Sequence, residues 1–402
     1  MRIVHVADSF APDVGGIERQ VETLVRHQIA QGHDVTVITA VAEPADLDSD
    51  LDVVRAARGR WLTVAFPWRN RRIVAEVLDG REIDVLHAHF TVVSPIAIYV
   101  TRAAGRRRIP VAATVHSLWW KVALATRIST LPFGWGRMRA AWSGVSSIAA
   151  GHVRRTLPGV HQVSIVPNLI ETHWWRSGIP ADRDLSDTVR IVLVGRLKKR
   201  KHLDEVIDVL ARVRQQLPPG MSFSVSIVGD GPRRDDLQRQ IDDNGLTDRV
   251  TLVGYQNTVA VRDLHHRSHL FIASSRQEAF GIAALEARAA GLPVIGYRST
   301  GLVDYITDGI DGRLVSNGSE MTDALVTLIR NPALLRNMLH TTGTTPPAIT
   351  NDDATSAITA LYERARASTD AVLTEKGHSR STRIWRAALL SWMPGLLSRK
   401  SR

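Results

Sequence analysis

A chain of 402 residues, 44% apolar and 23% charged, is long enough for two or three domains and can bury a core in each, which excludes a wholly disordered or fibrous protein. It has no cysteine, so disulfides, thiolate metal sites, iron–sulfur clusters and a cysteine nucleophile are excluded. The net charge of +11 points to an anionic partner: nucleic acid, a membrane surface or a phosphorylated ligand.

Met1 and Arg2 lead straight into Ile3-Val4-His5-Val6-Ala7, which reads as a strand. The h-region of a signal peptide would be longer and uninterrupted by Asp8. No apolar run reaches the ~18 residues of a spanning helix, so a cytoplasmic protein is expected. Strands are predicted at 2–7, 34–39, 83–87, 111–115, 143–148 and 162–166, with helices at 17–31, 70–79, 92–104 and 149–156 between them. The strands are nearly continuous Val/Ile runs, the pattern of a parallel sheet buried on both faces. The alternation restarts at Val189, with strands at 189–194, 222–228, 249–253, 269–273 and 293–296 and helices at 202–216, 232–243, 259–266, 281–290 and 319–330. Two such series imply an α/β protein of two doubly wound domains, 1–170 and 171–350. The Thr-rich stretch 341–353 reads as a loop, 354–366 as a helix, and a basic tail completes the chain.

Charge and tryptophan are unevenly spread. Residues 85–170 hold ten Arg or Lys and no acid, and 376–402 hold seven cations and no acid. Ten Trp outnumber seven Phe and five Tyr. Trp119, Trp120, Lys121, Arg127 and Trp135 fall in the first basic stretch, and Trp385 and Trp392 in the tail. Indoles among cations suit an anionic membrane surface, since the ring tolerates one wet and one apolar end. Segments 117–139 and 367–402 are therefore expected to meet a membrane or its embedded acceptor, which implies peripheral attachment to the inner face of the cell membrane. Nothing resembles a helix-turn-helix, a zinc finger or an RNA-binding sheet, so nucleic acid is not the expected partner.

Three constellations carry chemistry. Gly15-Gly16 lies between a strand and a helix, where glycine admits close approach of a ligand and a helix N-terminus favours an anion; many such turns carry glycine for geometry alone. Gly195-Arg196-Leu197, followed by Lys198, Lys199, Arg200 and Lys201, leaves the first strand of the second half, placing cations in the crevice where ligands bind. Glu278-Ala279-Phe280-Gly281…Glu286 sets one carboxylate before a helix and a second within it, on an apolar background that demands a partner.

Together these motifs resemble the GT-B retaining glycosyltransferases of family 4 (glycosyl transferases group 1). The matches are Gly15-Gly16 with Glu18, Thr114-Val115-His116-Ser117, Val166-Pro167-Asn168, Gly195-Arg196-Leu197 with Lys201, Val228-Gly229-Asp230-Gly231-Pro232, Val253-Gly254-Tyr255, and Glu278 to Glu286. They occur in family order from residue 3 to about 315. The resemblance implies two Rossmann-like domains facing across a cleft, the first binding acceptor and the second a nucleotide diphosphate sugar such as GDP-mannose or a UDP-hexose. It implies that Arg196 and Lys201 neutralise the leaving diphosphate, Glu286 holds the ribose, and Glu278 holds the transferred hexose beside the Phe280 and Gly281 amides. His116 would reach the sugar from the first domain, Gly16 would admit diphosphate and acceptor, and Gly229 and Tyr255 would line the donor site. The acceptor would be a lipid-linked or saccharide molecule.

Two departures stand out: His202 occupies the glycine position after the family lysine, and Ala279 replaces a frequent glycine. Asp48-Ser49-Asp50 imitates a metal-binding D-x-D but reads as a solvated loop, and the adjacent His265 and His266 would point apart. No metal or other cofactor is expected, because the cations do that work. The rival functions are a nucleotide-sugar epimerase of the same fold and a non-catalytic, membrane-recruited sugar-nucleotide binder.

Overall fold

The computed structural model of the chain describes residues 1–13, 15–42, 50–56, 70–119, 139–157, 159–180, 183–185 and 188–370. Trp120, Lys121, Arg127, Trp135, Trp385 and Trp392 lie outside the described residues, as do Asp48 and Ser49.

The first sheet contains β1 (Arg2–Ala7), β2 (Asp34–Thr39), β3 (Asp52–Arg55), β4 (Val85–Phe90), β5 (Val111–Val115), β6 (Ala141–Gly144) and β7 (Val163–Ile165). Its order is β3-β2-β1-β4-β5-β6-β7, with every pairing parallel. Helices α1 (Gly16–Ala30), α2 (Arg71–Gly80), α3 (Pro95–Arg106) and α4 (Ser147–Thr156) make the crossovers, and the short α5 (Thr172–Arg176) follows. The second sheet contains β8 (Thr188–Val194), β9 (Ser222–Val228), β10 (Val250–Gly254), β11 (Leu270–Ala273), β12 (Val294–Tyr297) and β13 (Gly312–Val315) in the order β10-β9-β8-β11-β12-β13, again all parallel. Its helices are α6 (Leu203–Gln216), α7 (Arg234–Asp243), α8 (Thr258–Arg267), α9 (Ile282–Ala289), α10 (Gly318–Arg330) and α11 (Pro332–Thr344). Strand order reverses between β1 and β4, and between β8 and β11. The strand ends at such a switch are where doubly wound sheets bind ligands.

Several expectations need correction. The strand expected at 143–148 ends at Gly144, because the Ser146 hydroxyl accepts from the Ala149 N–H and starts α4. Gly144 packs so closely on that helix that a Cβ would lie 2.4 Å from the Ala150 nitrogen. The helix expected from 92 begins at Pro95, and the Asp8 carboxylate accepts from the Ile96 and Ala97 N–H groups. The edge strands β3 and β13 went unpredicted: each has four residues, too few to show a period. The loop expected from 341 is helical to Thr344, since Pro332 starts α11 and Leu335, Met338 and Leu339 bury one face.

The C-terminal helix α12 spans 351–370, longer at both ends than the sequence suggests. It returns to the first sheet, where Ala354, Ile358, Leu361, Tyr362 and Ala365 share a core with Ile3, Val37 and Val85 of the strands and Val21 and Val25 of α1. The two halves also meet directly. Val145 and Ala149 enter the core of the second half, and the Ser146 hydroxyl donates to the Ala279 carbonyl at 2.5 Å.

Candidate functional site

The Gly-Arg-Leu turn forms where β8 and β9 end side by side. Gly229, at φ 128°, lies so close to Gly195 that a Cβ there would sit 2.1 Å from the Gly195 carbonyl oxygen. Only glycine combines that dihedral with that approach. Arg196 therefore leaves the strand end exposed, and its Nη2 lies 3.1 Å from where a Cβ on Gly15 would stand. Gly15 has extended backbone that any residue adopts, so its glycine serves space: a side chain would strike the Glu18 carboxylate and crowd Arg196. A Cβ on Gly16 would lie 3.7 Å from Ile282 Cδ1. The glycine turn of the first half thus faces both the cation turn and the start of α9.

Lys201 ends a 3₁₀ turn, Lys199–Lys201, and its ammonium donates to Glu278 Oε2 at 2.7 Å. Each side chain is about one-quarter exposed, 25% and 27%, so solvent screens the pair while leaving both groups open to a ligand. Of the cations at 198–201, Lys201 is the one bonded to Glu278. His202 follows at φ 51°, in the left-handed region, which accounts for glycine as the family residue there. Its Nδ1 lies 3.2 Å from Glu205 Oε1.

The Phe280-Gly281 turn is held from behind. The Tyr305 hydroxyl lies 3.0 Å from the Phe280 carbonyl oxygen and 2.8 Å from that of Gly281. Gly281 adopts φ 89°, and a Cβ there would come within 2.9 Å of that hydroxyl. Phe280 is buried, so its side chain is core and only its backbone serves the turn. The first N–H groups of α9 follow, with no acceptor inside the helix, an arrangement suited to a phosphate. Tyr305 carries no sequence signal: the aromatic lies 24 residues downstream of the turn it braces.

Glu286 lies on α9 with its side chain only 9% exposed. Burial pushes its carboxyl up to about 7, against the opposing pull of Arg19. Arg19 reaches over from α1, its Nη1 3.8 Å from Glu286 Oε1, while its Nη2 donates to Thr258 Oγ1 at 2.7 Å. Sequence reading missed Arg19, whose meaning depends on the two halves meeting. Tyr255, expected at the donor site, follows β10 and is 69% exposed.

His116 follows β5 and is not solitary. Its Nε2 lies 2.9 Å from His89 Nδ1, and burial pushes its imidazole down to about 4. Behind it stand His5, His87 and His89, all buried, with ligand atoms within 4.8 Å of one another. The sequence showed no cluster of metal-ligand spacing; this one arises because β1 and β4 pair with His5 opposite His87. Trp119 is no surface anchor. It is 2% exposed in the core of the first sheet, and its indole N–H donates to the Thr91 carbonyl at 3.2 Å. Asp50 pairs with Arg26 at 3.0 Å. His265 is wholly buried, whereas His266 Nε2 lies 3.1 Å from the Trp175 carbonyl oxygen, so the two rings do diverge.

Residues 14–183 match the Glycosyltransferase Family 4 profile, and residues 181–343 match that of Glycosyl transferases group 1. The fold and these matches define a GT-B glycosyltransferase. The second half of the chain thus matches the glycosyl transferases group 1 family, and the two profiles together run from residue 14 to residue 343. It is similar to a phosphatidylinositol N-acetylglucosaminyltransferase subunit of Arabidopsis thaliana, 28% identical over 77% of this chain and 70% of that one. It is also similar to the GDP-mannose-dependent alpha-(1-6)-phosphatidylinositol monomannoside mannosyltransferase of Mycolicibacterium smegmatis, 26% identical over 81% and 87%. Among solved structures, Anabaena HepE in complex with UDP shares the fold at TM-score 0.65 and 18% identity, over 93% of this chain and all of that one. No described helix is long and apolar enough to cross a membrane.

Proposed function

We propose that the chain is a retaining glycosyltransferase that moves a hexose from a nucleotide diphosphate sugar to a membrane-associated lipid or glycan acceptor. The observation that carries this reading is that the Gly15-Gly16 turn faces Arg196 and Ile282 at the start of α9, while the Lys201–Glu278 pair flanks Gly195 and Gly281 of those same two turns. Cations and free N–H groups meet the diphosphate where charge builds as it leaves. Glu278 then accepts from sugar hydroxyls and Glu286 from the ribose. The activities named for the phosphatidylinositol-modifying relatives support a lipid acceptor. Incubation with radiolabelled GDP-mannose, UDP-glucose and UDP-N-acetylglucosamine and a lipid extract tests it. Label passing to lipid is the expected result; epimerised donor, or binding without turnover, would replace this reading.

Activity is expected to persist in EDTA. Arg196, the partly exposed Lys201 ammonium and the free N–H groups at the start of α9 supply the positive potential that a metal ion would otherwise bring. A rate lost to chelator and restored by a divalent ion would contradict it.

The Glu286 carboxyl, at about 7 when folded against 4.5 ordinarily, makes two linked statements. An acid protonated more readily when folded lowers stability as pH rises from 4.5 to about 7, after which the loss is complete. Donor binding has the opposite sign, because the ionised carboxylate is the better hydroxyl acceptor. Donor affinity should fall below pH 7, by at most about tenfold per unit. Glu286→Gln should flatten both profiles, weaken nucleotide binding at pH 8 and raise the apo Tm there. Calorimetry with the nucleoside diphosphate and melting scans at pH 5 and 8 decide it; unchanged affinity with a collapsed Tm would make Glu286 purely structural.

The basic tail is proposed as a membrane anchor. Since α12 continues to Asp370, the informative truncation is after that residue. Seven cations at about 1 kcal/mol each near an anionic surface, with two indoles, suffice for reversible attachment. Truncation should leave donor binding intact and reduce sedimentation with phosphatidylserine vesicles at low salt. Equal sedimentation of both proteins would remove the tail from the account.

A further inference from the structure

We infer that Gln28 and Tyr362 are positioning residues: acting through His5 and His89, they hold His116 in the tautomer that carries its proton on Nε2 and leaves Nδ1 as an acceptor. The inference rests on the reading above only for its kinetic consequence. The tautomer follows from counting protons along one buried chain of hydrogen bonds.

The chain ends at the Ala113 carbonyl, which can only accept. The Ser143 hydroxyl therefore donates to it, at 3.2 Å, and has no second proton to give. The Thr114 hydroxyl, 2.8 Å from Ser143 Oγ, must donate to Ser143. Thr114 Oγ1 in turn accepts from His87 Nε2 at 2.7 Å, so the single proton of neutral His87 sits on Nε2 and its Nδ1 accepts. The donor to His87 Nδ1, at 2.9 Å, is the Tyr362 hydroxyl of α12. Tyr362 then accepts from the Gln28 amide N–H at 2.9 Å, which fixes which way that amide faces. Gln28 Oε1 is thereby presented to His5 Nε2 at 2.7 Å and can only accept. His5 Nδ1 must accept from His89 Nε2 at 2.9 Å, and His89 Nδ1 from His116 Nε2 at 2.9 Å. Each proton has one acceptor, and the unused lone pair at the head of the chain is His116 Nδ1, which makes no hydrogen bond among the described residues.

The count requires neutral rings, and burial keeps them so: His5 and His116 are pushed down to about 4, and His87 and His89 well below the ordinary imidazole range. The same count speaks against a metal among His5, His87 and His89. Both nitrogens of His87 are engaged, by Tyr362 and Thr114, so an ion would have to break the chain. If His116 meets a hydroxyl of the donor sugar, an accepting Nδ1 and a donating one select opposite hydroxyl orientations. Gln28 and Tyr362, outside the Arg196–Glu278 cluster, would then set donor affinity.

Long-range proton–nitrogen NMR of the full chain, with labelled histidine, reads the tautomers directly. In the wild type, His116 should show a protonated Nε2 and a bare Nδ1. Tyr362→Phe removes the group that orients Gln28, so the amide can turn over and donate to His5, and a second tautomer should appear at His5, His89 and His116. Ser143→Ala removes the acceptor that fixes the Thr114 hydroxyl, so His87 and the rings beyond it should likewise lose their single tautomer. Gln28→Glu keeps an acceptor for His5 and should leave the His116 spectrum as in the wild type. On the reading above, KM for the donor rises roughly two- to tenfold in Tyr362→Phe and stays near wild type in Gln28→Glu, the scale of one hydrogen bond. A wild-type His116 protonated on Nδ1, a Tyr362→Phe spectrum identical to wild type, or stoichiometric zinc uptake that shifts these rings without unfolding would overturn the inference. The expected spectra with an unchanged KM would uphold the tautomer lock and remove His116 from the donor site.

Discussion

Alanine at Arg196 or at Lys201 should lower turnover by about 10²–10³ with the fold intact, the usual cost of losing one preorganised charge at a developing anion. Arg196 is exposed at a strand end, so its loss opens no cavity. Lys201 needs more care, since removing it leaves Glu278 without its counter-ion. At about one-quarter exposure that carboxylate stays hydrated, and the stability change should be within about 1 kcal/mol. Lys201→Ala combined with Glu278→Gln separates the two effects: if the ammonium acts on the diphosphate, neutralising Glu278 does not restore the rate. Steady-state rates at saturating nucleotide sugar, with melting curves alongside, make the comparison. Rates near wild type in both single variants would sink the assignment of the cation pair.

The buried strands were legible, though not all of their ends, because parallel strands under two helical layers must be nearly continuous apolar runs, as Ile191-Val192-Leu193 is. Register was not legible, and much of the site depends on it. His87 and His89 lie two apart, which places them on one face of β4, but the strand expected at 83–87 stopped short of His89. That His5 stands opposite His87 follows only from the pairing of β1 with β4. The second-half motifs were readable because their glycines answer local demands, such as the left-handed backbone at Gly281 and the close approach at Gly229. Arg19, Thr258 and Tyr305 were invisible for the opposite reason: each acts across a distance set by tertiary packing. Tryptophan in a basic stretch misled at Trp119, where composition suggested a surface and the indole fills a core.

Deleting the C-terminal helix should unfold the first half of the molecule and spare the second. Residues 351–370 follow the second sheet in sequence but pack on the first, contributing the buried Ala354, Ile358, Leu361, Tyr362 and Ala365 to its core. At roughly 1.5–3 kcal/mol for each large side chain, that burial is on the order of 5–10 kcal/mol, comparable to the whole stability of a domain. Polar ties add to it. Arg364 donates to the Trp142 carbonyl at 2.7 Å, Asn351 Oδ1 accepts from the Ile170 N–H at 3.1 Å, and Tyr362 takes part in the buried histidine chain. Without the helix, Gln28 and His87 would also lose their shared partner. The second sheet has its own core, from Val189 through Leu339, in which no residue of the helix takes part. A chain ending at residue 350 should therefore melt in two steps, lose transfer entirely and still bind the nucleoside diphosphate. Leu361→Ala is the milder version and should cost about 2–5 kcal/mol in the first step alone. Limited proteolysis should cut within 1–170 first. A single unshifted transition in the shortened chain would mean that the helix decorates the first domain and does not complete it.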